Sequence, residues 1–103
     1  IATGGWSETA KLKLQKVGID SANFAFASCT DASARTKIMQ VAEQRALGKM
    51  VPVQKVYFGD GVWDKAASKE LNYRFIAVGG HVQHPENIPH YCNTGYLEKL
   101  LKL

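Results

Sequence analysis

Long apolar runs, cysteines and prolines are all scarce in this chain of 103 residues, and each shortage excludes something. No apolar stretch approaches the roughly 18 residues a membrane-spanning helix needs. No basic-then-apolar leader opens the sequence, so a soluble cytoplasmic protein with no membrane partner is expected. The two cysteines, Cys29 and Cys92, lie far apart and form neither a CxxC pair nor a dense framework, which fits a reduced compartment with both thiols buried. Repeats, linkers and low-complexity tracts are absent, and the length suits one domain over residues 1–103 with a single core. Also missing is any Asp-x-Asp pair, the aspartates being Asp20, Asp31, Asp60 and Asp64.

What is present begins with charge. A formal +4 and a pI near 9.2 favour anionic partners such as phosphate esters, nucleic acid or acidic lipid. Nucleic acid is the weaker choice. The lysines of KLKLQK read as the solvated face of a helix, and no aromatics interleave with them.

Strand and helix signals alternate. Residues 1–3 read as the end of a strand, and Gly4-Gly5 as a turn. A helix is predicted over residues 7–17, with Ser7 as N-cap, Ala10, Leu14 and Val17 as its apolar stripe, and Gly18 as its stop. Residues 24–28, FAFAS, look like a strand buried on both faces. A second helix is predicted over residues 34–47, turning Ile38, Val41, Ala42 and Arg45 or Ala46 inward and ending at Gly48. A strand over 53–58, a helix over 64–71 and a strand over 73–78 follow. Residues 81–93, with Pro85 and Pro89, read as loop, and residues 94–103 as a last helix. Four alternations with short connections predict an α/β fold, a parallel sheet of about four strands with helices on both faces.

In such a sheet, ligands collect at the carboxyl ends of the strands. The residues to compare there are Thr3-Gly4-Gly5, residues 28–37, the Asp60 to Asp64 turn, and residues 79–84. A threonine hydroxyl, two glycines and a helix N-terminus offer donors to an anion. Lys37 is placed to reach a phosphate oxygen, or else is a solvated surface lysine. Asp60 and Asp64 suit Mg²⁺, a hard ion gripped through one or two carboxylates and water. The competing reading makes them a turn aspartate and a helix N-cap. His81, His84, His90 and Cys92 are metal-ligand types, but their spacing matches no standard structural zinc site. Trp63 either shapes a pocket or packs on the adjoining helix.

Taken in order, IATGG, ARTKIMQVAEQRA and VYFGDGVWD resemble the second, third and fourth motifs of the haloacid dehalogenase-like hydrolase superfamily, over essentially the whole chain. The resemblance implies a Mg²⁺-dependent phosphatase core acting on a phosphorylated small molecule. Thr3, with Gly4 and Gly5, would bind the transferring phosphoryl group. Lys37 would neutralise nucleophile and phosphate, with Arg35 as the substitute cation. Asp60 would be the principal Mg²⁺ ligand and Asp64 a second acidic position in its shell.

The family's nucleophile is the first Asp of an Asp-x-Asp motif after the first, central strand, and that motif is absent here. The chain therefore resembles the later part of the core, lacking that strand, and is expected to be inactive alone. An unpaired strand edge would favour a homo-oligomer. The alternative is a non-catalytic binding or interaction protein derived from a phosphatase fold.

Overall fold

The computed structural model describes residues 1–51 and 54–90. The chain divides into two compact units, Ile1–Pro52 and Val53–Leu103. Among the described residues the fold is α/β, with three α-helices and a small parallel sheet of three strands. The helix expected over residues 94–103, and Cys92, lie outside the described residues. Among the described residues no helix is long and apolar enough to cross a membrane.

In the first unit, α1 spans Ser7–Lys16 and is rich in strong helix formers. It starts one residue earlier than expected. Trp6, in extended geometry, is the N-cap, and its carbonyl accepts the Ala10 N–H at 2.9 Å, which makes Ser7 the first helical residue. The stop at Gly18 is as anticipated. Its φ of +82° suits glycine, and Ile19 N–H to Leu14 O with Gly18 N–H to Gln15 O complete a Schellman motif. The expected stripe does not become a core: no residue of α1 is buried, and Val17 is exposed.

Helix α2, Arg35–Leu47, matches its predicted span, with Ala34 as N-cap and Gly48 at φ +58° closing it. Its inner face carries Ile38 and Ala42, joined by half-buried Val41, and buries them with Ala27 against Ala2 and Ala32. Met39 is buried too.

The strands expected at residues 1–3 and 24–28 shrink to one parallel bridge, Ala2 to Ala27. Two backbone bonds hold it, Thr3 N–H to Ala27 O at 3.0 Å and Ala27 N–H to Ile1 O at 2.9 Å. FAFAS is thus not a doubly buried strand, and Phe24 stays 53% exposed. The reason is that an apolar run becomes a strand only through cross-strand neighbours, and two of its five positions are alanines with little area to bury.

The second unit is more regular. Strand β1, Val56–Gly59, leads through a Gly-Asp-Gly turn into α3, Val62–Glu70, and returns as β2, Arg74–Val78. β1 and β2 pair in parallel from Val56↔Arg74 to Gly59↔Ala77. Helix α3 begins two residues before the predicted start because Gly61, extended, is its N-cap. It ends in a second Schellman motif, with Asn72 at φ +59°, Tyr73 N–H on Ser68 O and Asn72 N–H on Lys69 O.

The segment expected as loop contains a strand, β3, Asn87–Ile88, parallel to β2. Its shortness follows from Pro85 and Pro89, which lack N–H donors and confine pairing to the residues between them. Ile88 is fully buried, and the Asn87 amide donates to His84 O at 2.9 Å. In the order β1-β2-β3, β2 is central, and its Phe75, Ile76 and Ala77 are buried on both faces.

Candidate functional site

Each unit holds a loop at the carboxyl end of an extended segment. In the first, Thr3 Oγ1 accepts the Gly5 N–H at 3.1 Å, folding the hydroxyl into the Thr3-Gly4-Gly5 turn. The Gly5 carbonyl accepts the Cys29 N–H at 3.4 Å, tying this turn to the one after Ala27. There Ser28 and Thr30 hydroxyls share a hydrogen bond, and Asp31 Oδ2 accepts the Ser28 N–H at 3.0 Å.

The cation that meets the glycine turn is Arg35. A Cβ built on Gly4 would lie 2.8 Å from Arg35 Nη2, so the half-buried guanidinium rests on the backbone there. Lys37 is exposed, two residues further along the same helix. Side chains two apart on a helix do not face the same way, so a loop that receives Arg35 does not receive Lys37 by the same face. That spacing was available in the sequence as the signal for choosing between them.

An open groove of about 760 Å³ begins beside the glycine turn, its lining including Trp6, Lys11, Phe26, Asp31 and Arg45. Lys11 Nζ stands 5.3 Å from the centre of the Phe26 ring. Arg45 donates to Phe26 O and to Asp31 Oδ1, both at 2.6 Å. That hydrogen bond and the one from Ser28 hold the Asp31 carboxyl below its ordinary range.

In the second unit the Gly59-Asp60-Gly61 turn lies at the carboxyl end of β1 and leads into the N-terminus of α3. Asp60 is exposed on it. Asp64, in the first turn of α3, is only 5% exposed, and its Oδ2 accepts the Gly61 N–H at 3.2 Å. A Cβ on Gly59 would lie 2.5 Å from Asp64 Cβ and 2.7 Å from its Oδ2. Trp63 occupies the corresponding space at Gly61, with ring atoms 2.2 to 2.7 Å from where a Cβ would stand. Only glycine at both positions allows so close an approach.

The histidines do not converge. His81 and His90 are exposed, while His84 is half-buried, its ring edge-on to Phe75 at 5.1 Å. Among the described residues, no three His, Cys, Asp or Glu side chains form a metal-binding group. Beside His84, Glu86 receives Arg74 through Nε and Nη2, which holds its carboxyl below the ordinary range.

A single hard cation is a separate matter from such a cluster. An exposed carboxylate on a tight turn, open to water at the end of a parallel strand, is the kind of donor Mg²⁺ takes while keeping several waters. Asp60 meets that description. Comparison with protein-family models, curated proteins and solved structures finds no match to this chain.

Proposed function

We propose that this chain is part of the core of a haloacid dehalogenase-like, Mg²⁺-dependent phosphatase, acting on a phosphorylated small molecule. The observation that carries the proposal is the β1–turn–α3–β2 unit. It supports the reading by presenting Asp60 at the carboxyl end of a parallel strand, where ligands of α/β sheets gather. The family's strand order and its first strand belong to this proposal.

The residues divide the work. Thr3, Gly4 and Gly5 form the turn that receives the phosphoryl oxygens, and Arg35 supplies the positive charge that the motif assigned to Lys37. In the second unit Asp60 would hold Mg²⁺, an ion that supplies charge neutralisation when bound.

The covalent step needs a carboxylate nucleophile. It attacks phosphorus as the bond to the ester oxygen breaks, that oxygen takes a proton from the second Asp of the pair, and water, deprotonated by the same Asp, then cleaves the acyl phosphate to inorganic phosphate and the free carboxylate. None of the four aspartates is spaced as the family's nucleophile and acid. The expected result is that the 103-residue chain with Mg²⁺ gives no turnover of p-nitrophenyl phosphate. The same chain preceded by an apolar strand ending in Asp-x-Asp hydrolyses it, and Asp60→Asn abolishes the gain. Asp60-dependent turnover by the chain alone, or none in the extended one, overturns the proposal. A second reading, a non-catalytic binding protein on this fold, is the one an inactive extended chain would leave standing.

A further inference from the structure

We infer that Asp64 is a positioning residue for Asp60 and not a ligand of the bound cation. The inference rests on the Mg²⁺ reading above, and it concerns which carboxylate of the acidic turn does which job. The first turn of α3 clasps the Gly59-Asp60-Gly61 turn from two sides. At Gly59 the space beside the α-carbon belongs to the Asp64 carboxylate, and at Gly61 it belongs to the Trp63 ring. Asp64 Oδ2 also holds the Gly61 N–H, so its carboxylate faces the turn's backbone.

A group in that position acts through geometry. Asp64 is buried, whereas Asp60 is the exposed carboxylate of the turn. Holding the glycines on either side of Asp60 limits the backbone on which its carboxylate is carried. The cation therefore takes one carboxylate from this turn, with water among its remaining ligands, as Mg²⁺ commonly does. Such outer partners matter because they orient the ligand they support.

The molecule contains its own reporter. Of its two tryptophans, Trp63 lies against the residue next to Asp60, so Trp6→Phe leaves an emission that responds to this turn. In that background, titration with MgCl₂ alone is expected to shift Trp63 emission saturably, and Asp60→Asn removes the shift. Asp64→Asn keeps an oxygen for the Gly61 N–H, and its affinity stays within about threefold of the parent, the scale of one modest hydrogen bond. Asp64→Ala loses that oxygen and weakens binding by about 10- to 100-fold, the usual effect of removing an outer partner.

Hydrogen exchange at the Gly61 amide supplies a readout without metal. It should accelerate in Asp64→Ala and stay slow in Asp64→Asn. Loss of binding in Asp64→Asn as complete as in Asp60→Asn would make Asp64 a ligand and overturn the inference. Unchanged Gly61 exchange in Asp64→Ala would overturn it as well. If the parent shows no Asp60-dependent response to Mg²⁺, the magnesium reading falls, and the exchange comparison still decides what Asp64 does.

Discussion

At Gly59 the space for a side chain is filled by the buried carboxylate of Asp64, whereas at Gly4 it is met only by the tip of the Arg35 side chain. The same contrast runs through both units. The second has a three-stranded ladder, with a central strand buried on both faces. The first has one bridge and a core in which Ala27 and Ala42 surround Ile38. A turn at a strand end is held in place by the side chains that pack against it, here those of Asp64 and Trp63. The glycines alone do not stiffen it.

The largest difference between the two units is expected in their cores. Ile76 and Ile38 are both essentially inaccessible. Truncation of either to alanine is expected to cost about 2–5 kcal/mol, with Ile76 near the top of that range, because a site between paired strands collapses less readily. Each unit carries one tryptophan, Trp6 in the first and Trp63 in the second. Urea unfolding of Trp63→Phe and Trp6→Phe backgrounds therefore reads the two units separately. Equal losses at the two sites would show that the regular sheet confers no extra rigidity on its core.

Alanine at the turn glycines comes next in size. Gly59→Ala drives a methyl into the buried Asp64 carboxylate, and about 1–3 kcal/mol of overpacking is expected. Gly61→Ala meets Trp63, which is 56% exposed and has room to swing outward, so a smaller loss follows. Gly4→Ala touches the flexible end of Arg35 and should change stability by no more than about 0.5 kcal/mol. Urea midpoints give this ranking, and a costly Gly4→Ala would place the first turn on a footing with the second.

The smallest effect is on acid stability. Glu86 is held below its ordinary range first by the Arg74 hydrogen bonds, and Asp31 first by that of Arg45. A carboxyl depressed in the folded state contributes stability that is complete above its unfolded pKa and fades as pH falls through the folded one. Both units should lose stability below the ordinary carboxylate range and hold it above. Glu86→Gln should flatten the acid loss read by Trp63, and Asp31→Asn that read by Trp6. Unaltered pH profiles in both variants would remove these pairs from the account.

Much of the order of elements was legible in advance. Gly18 and Gly48 ended their helices as anticipated, because positive φ favours glycine whatever surrounds it. Ile38, Val41 and Ala42 of α2 face inward as helical spacing predicts, whereas Arg45 and Ala46, expected beside them, are exposed. The failures came where pairing decides. FAFAS looked like a strand and formed one bridge, while Asn87–Ile88 looked like loop and joined the sheet. At the candidate site, the acidic turn was visible as a motif, and the division between an exposed Asp60 and a buried Asp64 was not. The identity of the cation over Gly4 was half legible, since residues two apart on a helix must face different ways.

Local chemistry in the sequence therefore determined where helices stop, which helix face is apolar, and that a Gly-Asp-Gly turn stands between a strand and a helix. These features depend on backbone freedom and side-chain period, which are properties of neighbours along the chain. Only the tertiary structure decided which extended segments find partners, that Ile88 fills the edge of the sheet, and that Asp64 turns under its own loop while Asp60 faces water. Those outcomes depend on what lies across from a residue in space, because hydrogen bonds and burial are settled between segments and not within them.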